Sequence, residues 1–258
     1  MKKVSANGLQ LAYEEWGSGE PLILLHGINS DRRQYRIFAP HFADGMRVIA
    51  YDQRDSPDSP CPPEAYTMDD HAADLVGLIE GLGYERAHVM GASYGGAVAM
   101  NAALLYPEFI KSLTLGATAP SRGQFTAPDH RAVRAQGAEA VERYTLETAI
   151  TPQAIDNDPQ LVAELRSLVT PRAPESIARR ANAMASHDVR DRLRSLEVPT
   201  LVLVGDSDPI ISVETARGMA EAIPGARFEL LAGSRHGITV EFRQRTADLV
   251  SAHVLAHA

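Results

Sequence analysis

Several features that the sequence lacks exclude whole classes of protein. The only cysteine, Cys61, cannot form an intrachain disulfide, and this favours a reducing compartment, the cytoplasm. No run of about 18 apolar residues is present, so we expect no transmembrane helix. The start of the chain, Met1–Gly8, lacks the apolar segment of a secretory signal. A net charge of −8 disfavours nucleic acid and anionic membranes as partners, because both bind basic surfaces.

The apolar residues that are present predict one large α/β domain. Hydrophobic residues make up 45% of the 258 positions, enough for a sizeable core. Short apolar runs alternate with helical patterns, which indicates a mostly parallel sheet of eight strands with helices on both faces. A hairpin around Asn7-Gly8 supplies two strands within residues 4–16. The other predicted strands are 22–25, 47–51, 87–90, 109–115, 200–204 and 227–231, and the first predicted helix is 34–43.

Residues 120–196 interrupt this alternation. They show helical periodicity broken by prolines and no convincing strand. We therefore expect a cap of several short helices inserted after the sixth strand. Residues 1–119 and 197–258 would then form the core domain, and residues 120–196 the helical cap.

The most informative motif is Gly91-Ala92-Ser93-Tyr94-Gly95. It follows an apolar strand and precedes an apolar helix, which is the setting of a nucleophile elbow. In that turn the serine hydroxyl projects outward, while the glycines let the chain turn tightly. A serine hydroxyl needs a base and an orienting acid to become nucleophilic. Ser93 is therefore the candidate nucleophile.

Functional side chains gather at the carboxyl ends of parallel strands, and two of these ends carry the partners that Ser93 requires. His236 follows the last strand in a glycine-flanked loop and is the candidate base, since imidazole titrates near neutrality. The acid is Asp208 or Asp206. We favour Asp208, because Pro209 rigidifies its backbone. The strand that ends at Leu115 is followed by no acid.

A pair of backbone N–H groups is expected to bind the oxyanion. One belongs to Tyr94, the residue after the nucleophile, and the other to Ile28 in the loop after the 22–25 strand. His26 precedes Ile28 and is expected to hydrogen-bond within that loop. Phe125, Tyr144 and Ile210 are candidate residues of the substrate pocket.

Together these motifs resemble the α/β-hydrolase superfamily over the whole chain. The residues that carry the resemblance are Leu25-His26-Gly27, Asp52-x-Arg54, Gly91-x-Ser93-x-Gly95-Gly96, Gly205-x-x-Asp208, and His236 followed by Glu241. Many members have glycines where this chain has Asp55 and Pro57, and a glycine where it has Arg235. The Arg-Asp variant resembles anthracycline methylesterases. Residues 132–140 and 184–190 are similar to the caps of 3-oxoadipate enol-lactonases. That similarity implies a small substrate with a carboxylate.

These features predict a serine hydrolase that cleaves a small-molecule carboxylic ester or lactone and needs no metal or cofactor. Ser93 rules against the members that use an aspartate nucleophile, and Ala92 differs from the asparagine common in carbon–carbon hydrolases. Two alternatives keep the same residues: a cofactor-free perhydrolase or haloperoxidase, and a non-catalytic ligand receptor. The oligomeric state, including a homodimer, is left open.

Overall fold

The computed structural model describes residues 1–126, 130–169 and 171–258. Within these residues, eight strands form a single sheet in the order β1-β2-β4-β3-β5-β6-β7-β8. This confirms the predicted sheet of eight strands. The strands are β1 (Lys2–Ala6), β2 (Leu9–Gly17), β3 (Glu20–Leu25), β4 (Met46–Tyr51), β5 (Ala87–Ala92), β6 (Ile110–Gly116), β7 (Thr200–Gly205) and β8 (Arg227–Leu231).

The sheet is antiparallel at one edge and parallel elsewhere. β1 and β2 form the predicted hairpin, and β2 also runs antiparallel to β4. Asn7 and Gly8 have φ angles of 47° and 77°, the left-handed values that a tight hairpin turn requires. All remaining strand pairs are parallel. The carboxyl ends of β3 to β8 therefore meet at one edge of the sheet.

Helices cover both faces of the sheet. In the described part of the chain they are α1 (Met68–Gly81), α2 (Tyr94–Leu105), α3 (His130–Ala135), α4 (Ala138–Ala149), α5 (Pro152–Asn157), α6 (Pro159–Ser167), α7 (Pro174–Ala185), α8 (Val213–Ala222) and α9 (Arg243–Leu255). α1, α2 and α8 contribute to the apolar cluster on one face, and α9 to the cluster on the other. Among the described residues, no helix is long and apolar enough to span a membrane.

The helix predicted at 34–43 is wrong in type and extent. The structure has two short 3-10 helices there, Arg32–Ile37 and Ala39–His41. Pro40 lies near the start of the second one, where its missing N–H is tolerated. A proline also disfavours helical conformation in the residue before it, so one continuous α-helix cannot form across it.

Helices α3 to α7 lie between β6 and β7, and we call residues 120–196 the helical insertion. Part of it packs around an apolar cluster of its own, formed by α4 and α6 with Val240 from the segment between β8 and α9. The division into core and cap domains stays a prediction. What the structure describes is a set of short helices that follows the carboxyl end of β6.

Candidate active site

Ser93 occupies the turn between β5 and α2. Its φ and ψ of 54° and −117° are strained for a residue with a Cβ atom. The turn is tight because its glycines touch other backbone. A Cβ on Gly91 would lie 2.2 Å from the Gly95 carbonyl oxygen, and a Cβ on Gly95 would lie 2.1 Å from that of Leu25. The close approach of these backbone segments therefore requires glycine at positions 91 and 95, and the tight turn holds Ser93 at the edge of the sheet.

The structure brings Ser93, His236 and Asp208 together in one hydrogen-bonded line. His236 Nε2 lies 3.0 Å from Ser93 Oγ, and its Nδ1 lies 2.9 and 3.0 Å from the two Asp208 carboxylate oxygens. The Asp208 side chain is fully buried, whereas the His236 side chain is 19% exposed. The imidazole is thus oriented by a carboxylate shielded from water and reaches the serine with its other nitrogen.

The two candidate acids make different contacts. Asp208 Oδ1 also accepts hydrogen bonds from the backbone N–H groups of Ile210 and Ile211, which fixes the carboxylate. Asp206 instead accepts from the Gly233 N–H at 2.8 Å and ties the loop after β7 to the loop after β8. Asp208, and not Asp206, contacts His236.

The loop that carries His236 is attached to the C-terminal end of α4. The N–H groups of His236 and Gly237 donate to the carbonyl oxygens of Thr148 and Ala149, at 3.1 and 2.9 Å. A Cβ on Gly237 would lie 2.5 Å from the Ala149 oxygen, so only glycine allows this approach. The helical insertion therefore helps to position the candidate base.

The loop after β3 lies beside Ser93. A Cβ on Gly27 would be 3.9 Å from the Ser93 Cβ, and both Ile28 and Tyr94 line the cavity that Ser93 faces. His26 is fully buried. Its Nδ1 contacts the Gly27 oxygen within the same loop, and its Nε2 accepts a hydrogen bond from the Gln53 N–H in the loop after β4. Burial, followed by the charges of nearby arginines, holds the pKa of His26 well below its usual value.

A cavity of about 230 Å³ opens next to Ser93 and His236. The structure places all three predicted pocket residues, Phe125, Tyr144 and Ile210, in its lining. Apart from His236, the described lining contains a single side chain that carries a charge, Arg122. One Arg122 guanidinium nitrogen donates to the Phe125 carbonyl at 3.1 Å, which leaves donors for another group. The rest of the lining is largely apolar.

The unusual Asp55 joins the loop after β4 to α7. Its φ of 65° keeps the left-handed conformation that a glycine at this position would adopt, and aspartate tolerates it better than most residues. Its carboxylate accepts two hydrogen bonds from Arg179 at 2.6 Å, and others from Ser176 and Tyr66. Burial alone would raise the pKa of Asp55, yet these hydrogen bonds hold it below its usual range. The departure from glycine thus supplies an anchor for the helical insertion.

Arginines of α7 and of the segment before it form further contacts that no sequence motif marked. Arg172 donates to the carbonyl oxygens of Asp55 and Ser30, and Arg180 to that of Arg54. The insertion contains many arginines, and periodicity does not distinguish those that face solvent from those that reach the core. The one available signal is Asp55, a carboxylate at a position where the pattern of the resembled family has glycine.

Comparisons with known proteins agree with this architecture. A family model described as "alpha/beta hydrolase fold" matches residues 20–156, slightly more than half of the chain. The chain is 27% identical over 235 residues to 3-oxoadipate enol-lactonase 2 of Acinetobacter baylyi, covering 90% of this chain and 88% of that protein. It is 27% identical over 261 residues to a proline iminopeptidase of Lactobacillus delbrueckii subsp. lactis, with the same coverage.

Among solved structures, a thermophilic esterase from Thermogutta terrifontis with malate bound superposes with a TM-score of 0.87. Its sequence identity is 28%, and the match covers 100% of this chain and 99% of that one. The three similar proteins have different substrate classes in their names at almost equal identity, but all are hydrolases. The family match, the eight-stranded sheet and these relatives lead to one conclusion: the chain belongs to the alpha/beta hydrolase fold family.

Proposed function

We propose that the protein is a serine hydrolase that cleaves small carboxylic esters or lactones through an acyl-enzyme on Ser93. The observation that carries the proposal is the hydrogen-bonded line from Asp208 through His236 to Ser93, which opens onto a cavity of about 230 Å³. A buried carboxylate, an imidazole and a serine on a strained turn are the parts needed to generate a nucleophile near neutral pH.

In the proposed mechanism, Ser93 Oγ attacks the substrate carbonyl while His236 Nε2 accepts its proton. Asp208 accepts a hydrogen bond from His236 Nδ1–H and stabilises the imidazolium that forms. The N–H groups of Ile28 and Tyr94 bind the oxyanion, each contributing about 3 kcal/mol to the transition state. His236 then protonates the leaving alcohol oxygen. Water, activated by the same imidazole, releases the acid and restores Ser93.

For the substrate, we propose a small ester or lactone that carries a carboxylate. The small cavity limits the size of the substrate, and among the uncharged side chains of the described lining the Arg122 guanidinium supplies a positive charge. A guanidinium in a confined, partly apolar site pairs well with a carboxylate. The enol-lactonase and malate-bound esterase relatives support this choice, since 3-oxoadipate and malate are dicarboxylates.

The single cysteine supports a cytoplasmic location.

The test is a substrate panel measured with wild type and Ser93→Ala. The panel contains p-nitrophenyl acetate and butyrate, small lactones and enol-lactones, a carboxylate-bearing ester with its methylated neutral analogue, and a prolyl p-nitroanilide. We expect turnover of esters or lactones by wild type, and a loss of at least about 10³-fold in Ser93→Ala. Turnover of the anilide alone would make the protein a peptidase instead.

Further arms of the experiment separate the alternatives. Arg122→Gln is expected to raise KM for the carboxylate-bearing ester and leave KM for its neutral analogue unchanged. Peroxide added with a simple carboxylic acid tests perhydrolysis. Tight binding of a panel compound without turnover, equal in wild type and Ser93→Ala, would indicate a receptor and contradict the hydrolase proposal.

A further inference from the structure

Arg180, on α7, is the largest fully buried side chain of the structure. Its neighbours Arg54 and Arg179 are paired with carboxylates. Among the described residues, by contrast, no carboxylate forms an ion pair with Arg180, and its Nε has no hydrogen-bond partner. A buried cation with such incomplete compensation costs several kcal/mol. Packing alone gives no reason for an arginine at this position, because a methionine would fill the space at lower cost.

One side of the guanidinium reaches the loop that precedes Ile28. Arg180 donates to the Gln53 side-chain oxygen at 3.2 Å. The amide nitrogen of that same side chain donates to the His26 carbonyl at 2.8 Å, and the Gln53 N–H donates to His26 Nε2 at 3.3 Å. Gln53 is itself fully buried. Through Gln53, Arg180 is therefore connected to His26, two residues before Ile28.

The other side of the guanidinium packs on Tyr94. The Arg180 carbon Cζ lies 4.5 Å from the centre of the Tyr94 ring, a cation–π contact shielded from water. The Tyr94 hydroxyl lies 2.8 Å from His71 Nε2, which fixes the far end of the same ring. Tyr94 directly follows Ser93 in the chain. The ring is thus held at its face by Arg180 and at its tip by His71.

We propose that Arg180 is a positioning residue for the oxyanion hole, holding the Ile28 segment through Gln53 and the Tyr94 segment through its aromatic ring. The inference rests on the proposed function, because it assumes that the Ile28 and Tyr94 N–H groups bind an oxyanion. Arg180, a side chain of the helical insertion, then sets the distance between two N–H donors, one in the loop after β3 and one in the turn after β5. Such donors act only when they are held in place before charge develops.

The experiment compares two adjacent arginines of α7. Arg180→Met removes the contacts with Gln53 and Tyr94. Arg179→Met is the matched control, because Arg179 also binds the 52–56 loop but reaches neither of these residues. We expect Arg180→Met to lower kcat about 10- to 50-fold with KM within about twofold, and Arg180→Lys to recover part of the loss. Arg179→Met is expected to keep kcat within about twofold of wild type.

Affinity for a transition-state mimic provides the second measurement. An alkylboronic acid adds to a nucleophilic serine and places an oxygen in the oxyanion hole. We expect its inhibition constant to rise in Arg180→Met by about the same factor as kcat falls, while the inhibition constant of the carboxylic acid product stays unchanged. A mere loss of packing would weaken both ligands equally, and that result would overturn the inference.

Gln53→Met keeps the inference testable if Arg180→Met fails to fold, as judged by circular dichroism. It is expected to lower kcat with KM retained, and the double variant to lose less than the product of the two single losses. Wild-type kcat in either single variant would overturn the inference while leaving the proposed function intact. A wild type that neither turns over the ester panel nor binds the boronic acid would overturn both.

Discussion

Two of the junctions between the helical insertion and the rest of the protein are built from different bonds. At the α4 junction, carbonyl oxygens of Thr148 and Ala149 accept backbone N–H groups of the loop that carries His236. At the α7 junction, side chains of Arg172, Arg179 and Arg180 bind the loop that spans residues 52–56. The first junction supports the candidate base, and the second lies behind the candidate oxyanion hole.

Because the two junctions are built from different bonds, they are expected to respond differently to substitution. Backbone hydrogen bonds do not depend on which side chains are present, so the α4 junction tolerates most substitutions except at Gly237. The α7 junction depends on the charge and length of a few side chains. The stability that the α7 junction contributes can therefore be altered by single substitutions, by pH and by the residue at position 55.

Gly237→Ala is expected to disrupt the α4 junction and cause the largest loss of activity. The added Cβ would lie 2.5 Å from the Ala149 oxygen, so the His236 loop must move. A displacement of about 1 Å at a catalytic group costs about 10²-fold in rate. We expect kcat/KM for the best ester to fall 10²- to 10³-fold, measured by steady-state kinetics.

The control for this variant is Gly218→Ala in α8, where an added Cβ meets nothing within 4 Å. Activity should stay at the wild-type level, and stability should rise by up to about 1 kcal/mol, because alanine is the better helix former. Retention of more than a tenth of wild-type activity by Gly237→Ala would mean that the α4 junction does not position the base.

Asp55→Gly is expected to weaken the α7 junction without backbone strain. Glycine accepts the φ of 65° but removes the ion pair with Arg179 and the hydrogen bonds from Ser176 and Tyr66. We expect a loss of about 2 kcal/mol in the free energy of unfolding, since Arg179 is partly exposed and regains water. Urea denaturation provides the measurement.

Asp55→Ala separates the two roles of this residue. It loses the same contacts and also places a Cβ in the left-handed region, so we expect about 1 kcal/mol of additional destabilisation. Equal stability of the alanine and glycine variants would show that the backbone at position 55 relaxes. Wild-type stability of both would show that the ion pair contributes nothing.

Acidification is expected to destabilise the protein through its buried histidines, one of which, His71, contacts Tyr94 beside Arg180 of the α7 junction. Burial first, and the Arg180 charge second, hold the pKa of His71 well below its usual value of about 6.5. The charged or titratable groups around it are Arg180, Arg54, His26, Arg172, Tyr66 and Tyr94. Below pH 6.5 the unfolded chain binds a proton that the folded chain refuses, so stability is lost as pH falls.

We expect the free energy of unfolding to decrease by at least about 1 kcal/mol between pH 7.5 and pH 5.5, measured in urea at both values. His71→Gln keeps a polar partner for Tyr94 but removes the titrating ring, so the decrease should be smaller. Parallel decreases in wild type and His71→Gln would assign the acid sensitivity to other groups.

Glu241→Gln tests a side-chain contact at the start of α5, next to the α4 junction, and is expected to change the protein least. The Glu241 carboxylate accepts both the N–H and the hydroxyl of Thr151, each at 2.7 Å, at the start of α5. A glutamine retains one acceptor oxygen and presents an N–H₂ group to the other donor. We expect a loss of about 0.5 kcal/mol in unfolding free energy and an unchanged kcat. A tenfold loss of kcat would mean that this contact also positions His236.

Sequence patterns predicted the parts of the molecule that depend on local chemistry. Gly91, Ser93 and Gly95 lie within five residues, and a strand-turn-helix pattern fixes their geometry. Asp208 and His236 are distant in sequence, yet parallel strands end at one edge, so both could be placed there. Their catalytic roles stay predictions, but the structure brings the three side chains into hydrogen-bonding contact.

The remaining parts depend on contacts between distant segments. Arg180 and Gln53 are 127 positions apart, and no local pattern links them. The helix predicted at 34–43 is wrong for a different, local reason: Pro40 divides the segment into two short 3-10 helices. Asp55 was recognised as unusual, whereas its partner Arg179 could be found only in three dimensions.

The position of Arg180 constrains how this protein can be altered to accept new substrates. Ala181 and Met184 line the cavity from the same helix, so substitutions that reshape the cavity there are expected to shift the neighbouring guanidinium as well. Selectivity and turnover would then change together. Phe125 and Tyr144 line the cavity from outside α7. Libraries built at those two positions should therefore explore substrate range at little cost in turnover, whereas libraries at Ala181 should yield mostly slow enzymes.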